Sequence, residues 1–306
     1  MSVAEVESPP TPEPETVEPP KGRRRLPDWA AGNLLLLPTS LWFVLLLIIP
    51  TILIVGYSLG HRGVIVPIRF SWGSLVWSNY HTALNPDFLP IFWRSIWYAV
   101  VATIACVLIG FPLAYWIARF GGRFRNLYLV LVIIPFLTSY LIRMYAWQFI
   151  LQREGLLNTV LGAIGLGGNH VFLNTNFAVI LGLTYGFLPF MVLPLYASIE
   201  RMDPALVEAS YDLGHGKVST LFRVIIPTVA PGLIAGVLLV FIPAVGDFVT
   251  PELLGGVRTQ MIGNTIYDQF NSGNNWPLGS AMSVLLMAFI LVGVFIYLSR
   301  VGDDAL

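Results

Sequence analysis

DPALVEASYDLGHGKVSTLFRVIIP, from Asp203 to Pro227, is the long polar-rich interruption in the second half of a very apolar chain. Asp203 followed by Pro204 makes a good helix start. The carboxylate accepts from the orphan N–H groups of a first turn, and proline is tolerated at the first helical position. Ala205 to Leu213 then supply about two and a half turns. Gly214 ends them, because glycine enters left-handed backbone without a Cβ penalty, and Gly216 loosens the join. A second short helix over Val218–Ile226 ends at Pro227. The stretch reads as helix, glycine turn, helix, with small residues (Ala205, Ala209, Ser210) where a partner can approach closely.

The chain around this stretch is membrane-like. Of its 306 residues, 56% are hydrophobic and 11% charged, with a mean hydropathy of +0.74; a soluble domain carries roughly 25% charged residues. Apolar runs fall at about Leu34–Tyr57, Ser95–Ile117, Leu127–Ile150, Phe177–Ile199, Thr228–Val245 and Leu278–Leu298. Each is long enough for a helix across a hydrocarbon core of about 30 Å. They are continuous rather than alternating, which favours helices over a barrel. The fold class predicted is therefore an all-α integral membrane protein of about six transmembrane helices. The fifth run is the shortest and contains Pro231, Gly232, Gly236 and Pro243, so it should be kinked or loosely packed.

Residues 1–26 read as a disordered, acidic and proline-rich tail with a basic end, and 27–306 as the transmembrane domain. The first apolar run is too long for a signal peptide and lacks a clean small-residue cleavage site. The formal net charge is zero, so charge balance points to no partner. The single cysteine, Cys106, lies inside an apolar run and excludes an internal disulfide.

Lys and Arg set the orientation. Lys21, Arg23, Arg24, Arg25, Arg119, Arg123, Arg125, Arg201, Lys217, Arg223 and Arg300 fall on one side, against Arg62, Arg69, Arg94, Arg153 and Arg258 on the other. The first side is predicted cytoplasmic, with both termini and the 203–227 stretch inside. Outside lie His61–Phe92, with belt-like Trp72, Trp77, Tyr80 and, at its end, Trp93; Gln152–Asn176, with a short surface helix; and a polar Pro251–Pro277 loop.

The spacing Glu208-Ala209-Ser210-x3-Gly214-x9-Val224-x-Ile226-Pro227 resembles the EAA loop of ABC importer permeases, whose pattern is Glu-Ala-Ala-x3-Gly-x9-Ile-x-Leu-Pro. Ser210, Val224 and Ile226 are mild departures. PFLTSYLIRMYAWQFIL (Pro135–Leu151) and VGDFVTPELLGG (Val245–Gly256) resemble the spermidine/putrescine-type permeases of that family, particularly the first of their two unlike subunits. The likeness covers most of the chain from the first span onward, but not the acidic tail.

The resemblance implies a type I importer permease of the bacterial inner membrane. Its 203–227 loop would be a coupling helix docked in an ATP-hydrolysing subunit through Glu208, Ala209, Ser210, Gly214 and Pro227. A second, unlike permease, a pair of ATPase subunits and an extracytoplasmic solute-binding protein would be its partners. No cofactor is expected on this chain, with ATP and Mg²⁺ held by the ATPase subunits.

If the solute is a polyamine, its ammonium groups need carboxylates and gain from aromatic faces. Asp247 and Glu252, with Phe248 between them, are the pathway candidates, and Tyr140, Tyr145 and Trp147 the aromatic ones. Each has a plainer account: Asp247 as a partner of Arg143, Glu252 as a solvated loop acid, the aromatics as packing or interfacial belt. Arg143, a charge within a span, is expected to snorkel to headgroups or pair with a carboxylate rather than meet a cationic solute.

Other classes lack their signatures. The sequence has no GxxxxGK[ST] phosphate loop, no Cys/His metal spacing, no nucleophile elbow and no concentrated basic face for nucleic acid. The scattered histidines read as surface residues. The same architecture serving an amino-acid derivative, an opine or a metal ion is the alternative. A secondary transporter would show internal repeats and intramembrane acidic relays. A membrane enzyme would need catalytic side chains at the bilayer face.

Overall fold

The computed structural model describes residues 38–62, 68–69, 77–167 and 169–301. The acidic tail, its basic end and Trp72 lie outside the described residues. The chain divides into one unit ending at Ile52 and a second from Leu53 to Leu306. Helix α1 (Pro38–Ser58) begins in the first with a wide turn over Val44–Ile48. A two-residue antiparallel pair, β1 (His61–Arg62) and β2 (Ile68–Arg69), follows, then a short α2 (Ser78–Ala83).

The body continues with α3 (Leu89–Phe120), α4 (Arg125–Leu137), α5 (Tyr140–Leu151), α6 (Leu156–Ala163) and α7 (Asn176–Arg201). After these come α8 (Ala205–Asp212), α9 (Lys217–Thr228), α10 (Ala230–Gly246), α11 (Val249–Leu254), α12 (Ile262–Phe270) and α13 (Trp276–Val301). Helices α1, α3, α7 and α13 are each long and apolar enough to cross a membrane. Two bent pairs complete up to six spans: Gly122–Leu137 with Tyr140–Ala163 at 88°, and Lys217–Thr228 with Ala230–Gly246 at 74°. The count and placement match the sequence reading.

The two bends have local causes. Thr138 and Ser139 take extended backbone (ψ 156° and 132°), and the Thr138 hydroxyl donates to the Pro135 carbonyl at 2.7 Å. The third span is thus broken within the PFLTSY stretch, where the sequence reading ran it straight from Leu127 to Ile150. In the fifth, the bend falls at Val229, just ahead of Pro231, and α10 itself runs on through Pro243.

The centre of the body is α3, α7 and α10, packed on small residues. Ala99, Ala102, Cys106 and Ala114 of α3 are fully buried, as are Leu183, Met191 and Leu195 of α7. A Cβ at Gly232 of α10 would meet Ser198 Oγ of α7 at 2.1 Å and the Pro194 carbonyl at 2.6 Å. Close backbone approach of this kind is how helices associate where lipid offers no hydrophobic driving force. The kink expected of the fifth span is thus present as the 74° bend, while the alternative of loose packing is not: its glycines are points of close approach.

The Pro251–Pro277 segment also departs from expectation. It holds α11, a 3₁₀ turn at Val257–Thr259 and α12, with Met261, Ile262, Asn264 and Thr265 buried. The Ser95 hydroxyl of α3 accepts from the Ile262 N–H at 2.7 Å, capping α12 from a distant helix. Asn264 is spent on the start of α12, where its Oδ1 accepts from the Met261 N–H at 3.2 Å, while Asn271, Ser272 and Asn274 remain exposed. The 152–176 segment does contain a short helix, α6, as its apolar run predicts.

Candidate functional site

The 203–227 hairpin forms as its residues dictate. The Asp203 carboxylate accepts from the Ala205 N–H at 2.9 Å. Gly214 takes φ +82°, with its N–H on the Tyr211 carbonyl at 2.9 Å. The second arm, α9, is one helix with a wide turn at Leu221–Ile225 and runs on to Thr228, past the Pro227 stop. Ser210, which departs from the loop pattern, is buried and shares a 2.9 Å hydrogen bond with the buried Thr220. That hydroxyl pair ties α8 to α9. Arg119 of α3 donates to the Met202 carbonyl at 2.8 Å, and Arg125 of α4 pairs with Glu200 at 2.7 Å. These contacts tie α3 and α4 to the end of α7, from which the hairpin departs. Glu208 and Ala209 are exposed, as are the large apolar Leu206, Leu213, Val218 and Phe222.

Helix α10 is 17 residues long, about 25 Å at the usual rise. It begins just after this hairpin, and at its other end stands the second group of interest. Asp247 ends α10, and one of its oxygens accepts from the Val249 N–H at 2.9 Å, starting α11. The other accepts from the Tyr140 hydroxyl of α5 at 2.8 Å and closely from the Thr250 hydroxyl. Tyr140 and Thr250 are themselves 2.6 Å apart.

Beside this triad, Phe248 stacks on Tyr267 of α12, with centroids 5.1 Å apart and planes 10° from parallel. Both rings are exposed. Glu252 accepts from Asn264 Nδ2 at 2.9 Å, and the same amide donates to the Phe248 carbonyl at 3.1 Å. Asp268 lies one helical turn beyond Asn264. Burial first, and the negative charge of Glu252 second, push its carboxyl above the ordinary range. Three carboxylates and a stacked aromatic pair therefore share the end of α10, a combination suited to an extended polycation.

Not every sequence candidate joins this group. Tyr140 does. Trp147 packs edge-on against Tyr185, 5.4 Å between centroids, and belongs to the core. Tyr145 is exposed and enters none of these hydrogen bonds or ring contacts.

Arg143 neither snorkels nor pairs with Asp247. It is 7% exposed, its Nε has no hydrogen-bond partner, and its guanidinium lies over Tyr140, Phe136 and Tyr185 at 5.3, 5.6 and 6.0 Å. A desolvated cation–π contact is worth about 2 kcal/mol, against roughly 2.5–3.5 kcal/mol for placing a charge at a helix centre. The rings offset the charge without a carboxylate.

Sequence reading missed Thr250, Asn264, Tyr267 and Asp268. The signal was present: Asn264, Tyr267 and Asp268 recur at i, i+3, i+4, one face of a helix. Reading 251–277 as a loop hid that spacing. Among the described residues, no group of three or more His, Cys, Asp or Glu side chains is placed to hold a metal ion.

Residues 110–301 match the family model described as the binding-protein-dependent transport system inner membrane component. The chain is 40% identical over 257 residues to the spermidine/putrescine transport system permease protein PotB of Haemophilus influenzae, covering 84% of this chain and 89% of that one. It is 39% identical over 259 residues to the same-named protein of Escherichia coli K12, covering 84% and 92%. In fold it is similar to a chain of a bacterial alginate ABC transporter solved with an alginate pentasaccharide-bound periplasmic protein. There the TM-score is 0.67 at 20% identity, over 89% of this chain and 94% of that one.

Proposed function

The chain belongs to the binding-protein-dependent transport system inner membrane components, and we propose that it is the permease subunit of an ATP-driven importer of di- and polyamines. The observation that carries the choice of solute is the end of α10. There, in a chain whose relatives are named for spermidine and putrescine, Asp247, Glu252 and Asp268 surround a stacked aromatic pair. Carboxylates spaced along an edge match ammonium groups spaced along an alkyl chain, and the rings take the methylenes and add cation–π attraction.

In this reading the Asp203–Pro227 hairpin docks on an ATPase subunit. Exposed Glu208 is its charged anchor, and the exposed apolar side chains fill the partner's cleft. The rigid α10 connects the docked hairpin to the carboxylate end, so ATP-driven movement at one end is felt at the other. The energy comes from differential binding of nucleotide to the two states. ATP and Mg²⁺ sit on the partner pair. A second permease completes the pathway, and a solute-binding protein delivers the solute to the outer face. Both termini lie in the cytoplasm of a bacterial inner membrane, as the Lys and Arg asymmetry favours.

Uptake by the reconstituted transporter with its cognate binding protein tests the solute. Labelled spermidine and putrescine are measured beside a monoamine, an amino-acid derivative, molybdate and a divalent metal. ATP-dependent uptake of the di- and polyamines alone is expected. Uptake of another member of the panel, with none of the polyamines, sinks the reading.

A further inference from the structure

At the start of α3, two clefts share one side chain. The first, about 460 Å³, is lined by Arg94, Arg258, Tyr98 and Asn176 together with Trp93 and Trp97. The second, about 440 Å³, is lined wholly by apolar side chains, Leu84 just after α2 and residues of α3 and α13, the same Trp93 among them. From this we infer a binding site for one anionic phospholipid, its phosphate between the two arginines and an acyl chain in the apolar cleft.

The polar cleft is built for an anion. Arg94 donates to the Arg258 backbone carbonyl, which draws the two basic residues together. The ion pair found among the described residues, Arg125–Glu200, uses neither of them. Like charges drawn together without a carboxylate leave guanidinium N–H groups to be filled by an external acceptor, and guanidinium forks match phosphate oxygens. The Tyr98 hydroxyl donates to Asn176 Oδ1 at 2.7 Å, which turns the amide N–H₂ of Asn176 toward other acceptors. Asn176 is also the first residue of the 26-residue α7, whose positive dipole end adds to the attraction.

The apolar cleft decides between a lipid and a free anion or an acidic protein surface. Neither of those has a use for an all-apolar groove beside the phosphate position. Trp93 and Trp97, 70% and 58% exposed, are the side chains favoured at headgroup depth. The inference does not depend on which solute the protein carries.

Native mass spectrometry of the detergent-purified transporter, equilibrated with phosphatidylglycerol or phosphatidylcholine, provides the test. Wild-type protein should retain phosphatidylglycerol in preference. Arg94→Gln with Arg258→Gln should lower that retention about thirtyfold, the order two basic side chains supply toward anionic lipid. Retention of phosphatidylcholine should not change. The double Lys variant should keep part of the retention. Ile96→Trp, which fills the apolar cleft and leaves the arginines alone, should lose it, and serves if the double Gln protein is not recovered. Equal phosphatidylglycerol retention by wild type and double Gln protein, or by wild type and Ile96→Trp, overturns the inference. So does displacement of the lipid by inorganic phosphate alone. Weaker docking of the solute-binding protein with lipid retention unchanged would assign the arginines to an acidic protein surface instead.

Discussion

The Tyr140 hydroxyl donates to the Asp247 carboxylate at 2.8 Å, and this bond joins the second half of the broken third span to the end of the fifth. Asp247 has two separable duties there. One oxygen starts α11 through the Val249 N–H, and the charge as a whole faces the acid and aromatic group. Asparagine keeps an acceptor for the first duty and loses the second. Asp247→Asn is therefore expected to leave abundance and melting nearly unchanged and to lower polyamine uptake about tenfold, the weight of one hydrogen bond to a charged group. Asp247→Ala should add a loss of about 1 kcal/mol for the missing cap. Tyr140→Phe, one neutral partner short, should reduce uptake less than Asp247→Asn. Abundant Asp247→Asn protein with normal uptake at limiting solute would remove Asp247 from the pathway.

Arg143 sits on rings rather than on a carboxylate, and this decides a double change. Adding Arg143→Gln to Asp247→Asn should not restore anything, because there is no pair to balance. Arg143→Met should melt at or above the wild-type temperature, since it removes a buried charge that no opposite charge compensates. Arg143→Lys should melt below both, because a compact, strongly hydrated ammonium is costlier to bury and stacks less well. A Met variant that melts well below the Lys variant would show that the positive charge has a partner after all.

These two sites differ in how far the sequence revealed them. The Asp203–Pro227 hairpin was legible almost residue by residue, because caps and a left-handed glycine are local chemistry written in adjacent positions. Six apolar runs gave the spans for a similar reason. Asp247 and Tyr140 were each visible as candidates, but their bond spans 107 positions of sequence, and no local rule links them. Arg143 was misassigned because its compensation comes from rings on α4, α5 and α7, not from the carboxylate that pairing rules look for. The break at Thr138–Ser139 escaped because an apolar run scores as one span whether or not its backbone is continuous. Only the face formed by Asn264, Tyr267 and Asp268 was readable and passed over.

Gly214 separates backbone cost from crowding. Its φ is +82°, and an added Cβ would meet nothing within 4 Å. A substitution is therefore penalised by the left-handed conformation alone, about 1–2 kcal/mol for a β-branched residue and little for asparagine. Gly214→Val should keep membrane insertion but lose ATPase stimulation by the loaded binding protein, while Gly214→Asn keeps most of it. Full stimulation in both would detach this turn from coupling. Glu208→Lys makes the matching test of charge. Glu208 is exposed, so reversal should leave melting unchanged and uncouple transport.

The last expectation concerns pH at the acid group beyond the end of α10. Asp268 lies in α12, outside the six spans, and its carboxyl is raised first by burial and second by the charge of Glu252. A raised carboxyl holds its proton in the folded protein at pH values where the unfolded chain has lost it. Stability is then greatest below the ordinary carboxylate value of 3.8 and falls as pH rises toward the raised one. Asp268→Asn should flatten the melting temperature across that window. Glu252→Gln should flatten it only in part, because burial, the larger cause, remains. A polyamine at this end would supply positive charge, so added spermidine should raise the melting temperature more above the window, where Asp268 is ionised, than below it. Melting curves of the detergent-purified protein, with and without spermidine on either side of the window, measure both effects. A spermidine shift of equal size on both sides, or one unchanged in Asp268→Asn, would place the solute away from Asp268.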